Sequence, residues 1–195
     1  MTTPTFLKRE TTGLLVIDVQ DKLFGTIDHP TETVRGIATL IQGAKLLGLP
    51  IVVTEQYPEG LGSTLGALQG ILPKDRFLFT KREFSAWRSP DIRAKLLERR
   101  QWLVCGIEAH VCVMQTLKDM VLGGLDPVLI NDAISSQSVY DFSTAIAEMM
   151  HYARVTSTAS ALFELVESSA SPEFKECQAL IKARLKEPPS CCSIG

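Results

Sequence analysis

The sequence predicts an α/β protein of three layers, a six-stranded parallel sheet with helices on both faces. Three observations predict it. Apolar runs of strand length recur along the chain, and several are nearly continuous, as in strands buried on both faces. Helical periodicity fills the intervals between them, which is the pattern of right-handed βαβ units. The length of 195 residues, 45% hydrophobic and 22% charged, suits one globular domain with a full-sized core. Residues 1–195 are therefore expected to form a single domain, with its core over about 10–187 and a flexible tail over 188–195.

The first strand is "TGLLVIDVQ" (12–20), whose apolar run ends at Asp18. Residues 30–50 then place Val34, Ile37, Ile41, Leu47 and Leu49 in a helical pattern, with Thr31 or Thr33 as its cap and Gly48 and Pro50 as its stop. "IVVTEQ" (51–56) is a β-branched second strand, and "YPEGLGSTLGALQG" after it reads as a Gly-rich loop. "RFLFTK" (76–81) is the third strand. A helix over 89–100 starts with Pro90 in its first turn and ends on basic residues. "QWLVCG" (101–106) is the fourth strand. The helix over 109–122 is closed by Gly123 and Gly124. "DPVLIND" (126–132) is the fifth strand. A helix over 139–153, a sixth strand over 154–158 and closing helices over 160–166 and 171–187 complete the chain.

Composition excludes several classes of function. The net charge is −2 and no basic stripe is present, so nucleic acid is not an expected partner. No apolar run reaches the length of a membrane span, and no membrane partner is expected. "MTTPTFLKRE" lacks the apolar centre of a secretory signal, which points to the cytoplasm and leaves an association with mitochondria open. The five cysteines are odd in number and scattered, which fits a reducing compartment better than a disulfide framework. The closing "CCSIG" ends in Gly, not a usual last residue of a prenylation signal.

In a parallel sheet of this kind the site lies at the carboxyl ends of the strands. That rule gathers residues far apart in sequence: Asp18, then Thr54, Glu55 and Gln56, then Thr80 and Lys81, then 106–112, then Asn131 and Asp132. Cys112 falls in the first turn of a helix, where free N–H groups and the positive dipole end favour a thiolate and can hold an oxyanion. A buried free Cys is more often a small apolar residue, and Cys105, inside a strand, is read that way. Asp18 and Lys81 complete a constellation: a carboxylate to take the thiol proton and an ammonium to steady the charged forms.

Glu108, His110 and Cys112 do not make a zinc set, because a helix splays them apart. His110 also lies too near Cys112 in sequence to face it as a base. With three histidines in the chain, no metal and no cofactor is expected. "GLGS" (60–63) lacks the ending of a phosphate loop.

These residues carry a resemblance. "LLVIDVQDKLF", "TKREFSAW", "CGIEAHVCV" and "INDAISSQS", in this order, resemble the isochorismatase-like cysteine hydrolase superfamily, which also contains nicotinamidases and N-carbamoyl amidohydrolases. "TEQYPEGLG", "GIEAHVC" and "PEFKECQALIK" are most similar to its eukaryotic isochorismatase-domain-containing branch. The resemblance implies Asp18, Lys81 and Cys112 as the catalytic residues, and a cis peptide bond between Ile107 and Glu108 that turns the Glu108 N–H, with that of Cys112, toward an oxyanion. It also implies a homo-oligomer. Two departures narrow the activity. The nicotinamidase metal ligands have no match in "TEQYPEG", and siderophore-pathway isochorismatases lack the Cys that stands here at 112.

The expected function is thus a metal-independent cysteine hydrolase acting on an amide, carbamoyl or similar acyl-type bond of a small molecule through a Cys thioester. Gln20, Phe24, Gln56, Tyr57 and Trp87 follow the strand ends and are the expected pocket residues. A catalytically silent scaffold and a redox-reactive thiol protein are the alternatives.

Overall fold

The computed structural model describes residues 5–185; the CCSIG tail with Cys191 and Cys192 lies outside them. The described residues form one sheet from β1 (Thr12–Ile17), β2 (Ile51–Gln56), β3 (Phe77–Lys81), β4 (Gln101–Ile107), β5 (Asp126–Ser135) and β6 (Arg154–Thr156). All neighbours are parallel, in the order β3-β2-β1-β4-β5-β6. The chain winds outward from β1 to β3, returns to lay β4 against the other side of β1, and winds outward again. The reversal falls between β1 and β4, where open α/β sheets leave a crevice at their carboxyl ends.

The helices are α1 (Asp21–Phe24), α2 (Pro30–Leu46), α3 (Pro58–Leu61), α4 (Gly66–Gln69), α5 (Pro90–Leu96), α6 (Met114–Leu122), α7 (Val139–Met149), α8 (Thr158–Val166) and α9 (Phe174–Arg184). Strand alternation divides the core in two. Leu14, Val16, Leu103 and Cys105 share a core with α2, α8 and α9 through Ile37, Leu40, Leu162, Leu165 and Cys177. Leu15, Ile17, Trp102 and Val104 face α5, α6 and α7 through Ile92, Leu96, Leu117 and Met149. β1 and β4 are buried along their whole length, which is why both read as continuous apolar runs. β3, at one edge, leaves Phe77 and Leu78 exposed.

Several elements depart from the sequence expectation. β1 stops at Ile17 because Asp18 turns into the left-handed region, with φ +52°. The helix over 30–50 ends at Leu46 and starts at Pro30, with His29 rather than a threonine at its N-cap. The expected loop after β2 contains the single turns α3 and α4. The helix over 109–122 begins as a π-helical turn over Ala109–Val113, where the Val113 N–H reaches back to the Glu108 carbonyl at 3.2 Å. β5 runs on to Ser135, and between Val104 and Gly106 its register with β4 shifts from Leu129 to Ile134.

Candidate active site

β1, β2, β3 and β4 each deliver one part of the site. The left-handed turn at Asp18 swings its carboxylate off the end of β1 and into full burial. Its main-chain N–H donates to the Thr54 carbonyl at 3.1 Å, keeping the turn beside β2. Thr54 Oγ1 donates to Asp18 Oδ1 at 2.7 Å. Lys81, the last residue of β3, donates from Nζ to Asp18 Oδ2 at 2.6 Å. Both side chains of this ion pair are 0% exposed. The ammonium also donates to Gln56 Oε1 at 2.7 Å and lies near the Phe84 and Glu83 carbonyls at 3.1 and 3.2 Å. A buried ammonium needs such acceptors, since each lost partner leaves an uncompensated charge.

Cys112 approaches from the opposite side of β1. Gly106 makes this possible: it pairs with Ile17, has φ +128°, and a Cβ there would stand 2.0 Å from the Ile17 carbonyl oxygen. The Ile107–Glu108 peptide is cis, and the π-helical turn that follows carries Cys112, which is 5% exposed. The charges of Asp18 and Lys81 both act on this thiol, in opposite directions. The three sequence-predicted side chains are therefore brought together from β1, β3 and the turn after β4.

The electrostatics differ from the expected thiolate. Burial pushes the Cys112 thiol up to about 12, the Asp18 carboxylate adds to the rise, and Lys81 opposes it. The start of a helix does not outweigh loss of water beside an anion. At rest the group is a neutral thiol next to a proton acceptor.

His110 points away from this cluster. Its Nδ1 lies 3.0 Å from Ser136 Oγ and 3.4 Å from Glu108 Oε2, and Glu108 Oε1 accepts from Gln137 Nε2 at 2.9 Å. Ser136 and Gln137 carry no sequence signal of this role beyond following a strand.

The expected pocket residues separate. Gln20 is buried and its amide is used by main chain: Nε2 donates to the Gln56 and Gly62 carbonyls at 3.0 and 2.6 Å, and Oε1 accepts from the Gln56 N–H at 2.8 Å. Gln56 holds Lys81 and donates to the Arg82 carbonyl at 2.7 Å. Tyr57 is half-exposed beneath Arg82, whose Cζ stands 4.0 Å from the ring centroid. Phe24 packs on the core beneath α2. Trp87 follows Ala86, which is buried with its N–H donating to Thr116 Oγ1 at 2.9 Å, and the Trp87 indole lies on Gly123 just past the end of α6. That end is about 15 Å along the helix from Cys112.

A cavity of about 250 Å³ reaches Lys81 from the β3 side, between Glu59, Arg82 and Glu83. A larger one, about 630 Å³, opens between α2, β5 and α9 near Arg35, Asp132 and Arg184, and no residue of the Asp18–Lys81–Cys112 cluster lines it. Among the described residues no three His, Cys, Asp or Glu side chains converge as metal ligands would. Among the same residues no helix is long and apolar enough to cross a membrane.

Known proteins are similar to this chain in sequence and in fold. A family model described as the isochorismatase domain matches residues 12–160. The secreted isochorismatase effector Isc1 of Phytophthora sojae is 39% identical over 180 residues, 89% of this chain and 85% of that protein. Isochorismatase domain-containing protein 2 of Homo sapiens is 36% identical over 175 residues, 87% of this chain and 82% of that one. The solved structure of MAR1 ribonuclease from Caenorhabditis elegans superposes with a TM-score of 0.88 at 34% identity, over 98% of each chain.

Proposed function

The chain belongs to the isochorismatase family, and from that premise we propose that it is a metal-independent cysteine hydrolase. Its substrate is a small molecule with an amide, carbamoyl or similar acyl-type bond. One observation carries the reading: a buried thiol gathered beside a buried carboxylate–ammonium pair, so that both charges act on it. A neutral thiol beside a carboxylate is arranged for attack with simultaneous loss of its proton.

In this mechanism Asp18 takes the Cys112 proton as Sγ attacks the acyl carbon. The Glu108 and Cys112 N–H groups hold the resulting oxyanion. Asp18 gives the proton to the leaving nitrogen or oxygen, and the carbonyl re-forms as a thioester. Water then attacks; Asp18 takes its proton and returns one to sulfur as the acid or carbamate leaves. Lys81 keeps a positive charge beside the carboxylate throughout. The whole chain acts as a single hydrolase domain, and it assembles as a homo-oligomer, which light scattering will read.

The raised thiol weighs against a redox thiol protein, since peroxide reacts with the thiolate and not with the thiol. The test is a hydrolysis screen of amides, carbamoyl compounds and isochorismate. An RNA arm belongs in it because the Caenorhabditis elegans relative is named a ribonuclease. Cys112→Ala should abolish turnover while the far-UV spectrum and melting temperature stay near those of the parent. Normal turnover by that variant would remove the nucleophile from the mechanism, and no turnover of any compound by the parent would favour a silent scaffold.

A further inference from the structure

We propose that Thr54 is a positioning residue that aims the Asp18 carboxylate at the Cys112 thiol; the inference rests on the reading of Asp18 as the base. Strand alternation puts Thr54 and Gln56 on the same face of β2, and each holds one member of the buried pair, Thr54 on Asp18 and Gln56 on Lys81. Thr54 is 0% exposed, and its hydroxyl donates to Asp18 Oδ1 at 2.7 Å while Lys81 occupies Oδ2 at 2.6 Å. One lone pair on each carboxylate oxygen is thereby taken, from two directions. The two contacts hold the carboxylate against rotation about Cβ–Cγ and leave its remaining lone pairs for the Cys112 thiol, on which its charge acts.

Nothing about packing demands a hydroxyl at this position. Val52 and Val53 precede it in the same strand, and valine has the shape of threonine. The main-chain bond from the Asp18 N–H to the Thr54 carbonyl, 3.1 Å, does not involve the side chain. Thr54→Val therefore deletes one hydrogen bond to the carboxylate and leaves the turn at Asp18 held in place.

The test needs no substrate. Iodoacetamide alkylates Cys112: the S–C bond forms, iodide leaves, and the thiol proton passes to Asp18. At neutral pH, where the thiol is protonated, this reaction depends on the base. On the alkaline limb a growing share of thiolate reacts without it. Thr54→Val should react about fivefold more slowly than the parent at neutral pH and within about twofold of it on the alkaline limb. Thr54→Ser should restore the neutral-pH rate. Recovery in Thr54→Ser, which keeps the hydroxyl and drops the methyl, assigns the slowing to the lost contact on Asp18. Should Thr54→Val fail to fold, Thr54→Ala must give the same split. If Thr54→Val overlays the parent while Asp18→Asn is slow, the positioning role is overturned and the base remains. Equal slowing on both limbs also overturns it, because that reports blocked access. If Asp18→Asn itself matches the parent, the reading of Asp18 as base is what fails.

Discussion

Asp18 meets the sulfur because one backbone angle is left-handed. Asp tolerates that region better than most side chains, and here it ends β1 and redirects the carboxylate in a single step. Lys81 then governs how far the thiol is raised. It is the influence that lowers the Cys112 value, against burial and Asp18. Lys81→Met should push the thiol higher still, so the alkylation profile of Cys112 moves to more alkaline pH; an unmoved profile would remove Lys81 from the thiol's surroundings. The meeting of Asp18, Lys81 and Cys112 was legible in the sequence because each lies at or just beyond the end of a strand and the sheet gathers strand ends. Thr54 was legible as a rim residue, but its role was not, since a 2.7 Å contact between positions 18 and 54 has no signature along the chain. The position of the Trp87 indole against Gly123 likewise has no signature along the chain.

At the level of elements, β1 and β4 lie closest where the chemistry gathers. A side chain at Gly106 would collide with the Ile17 main chain, and φ there is unfavourable for any residue but glycine. Gly106→Ala should cost about 2 kcal/mol or more of stability and slow Cys112 alkylation at neutral pH, by forcing the two strand ends apart. A urea midpoint unchanged from the parent would mean that the strands part freely. The strands were read well because burial on both faces leaves continuous apolar runs, as in "TGLLVI" and "QWLVCGI". The single turns α1, α3 and α4 were missed, being too short to show a period. The π-helical turn was missed because its composition is that of an ordinary first turn; one shifted hydrogen bond makes it.

Among the described residues the thiols of Cys105, Cys112 and Cys177 are buried, and this links stability to pH. Burial raises Cys105 and, to about 12, Cys112, from an ordinary value of 9.0. Below that ordinary value both folded and unfolded chains keep the Cys112 proton, and its contribution to stability is whole. Between 9.0 and about 12 the unfolded chain releases the proton while the folded chain retains it, so stability falls as pH rises. Urea midpoints measured across the alkaline range should fall more steeply for the parent than for Cys112→Ala; equal slopes would mean that the thiol is not held up in the fold. The Asp18–Lys81 pair has a different consequence. Ion pairs on the outside, such as Arg100 with Asp126, are bathed in mobile counterions that weaken a charge within roughly 8 Å at physiological strength. The pair beside the sulfur is screened far less, both side chains being buried. Its local field is thus set mainly by the fold, and the sulfur's electrical surroundings should change little between brine and dilute buffer.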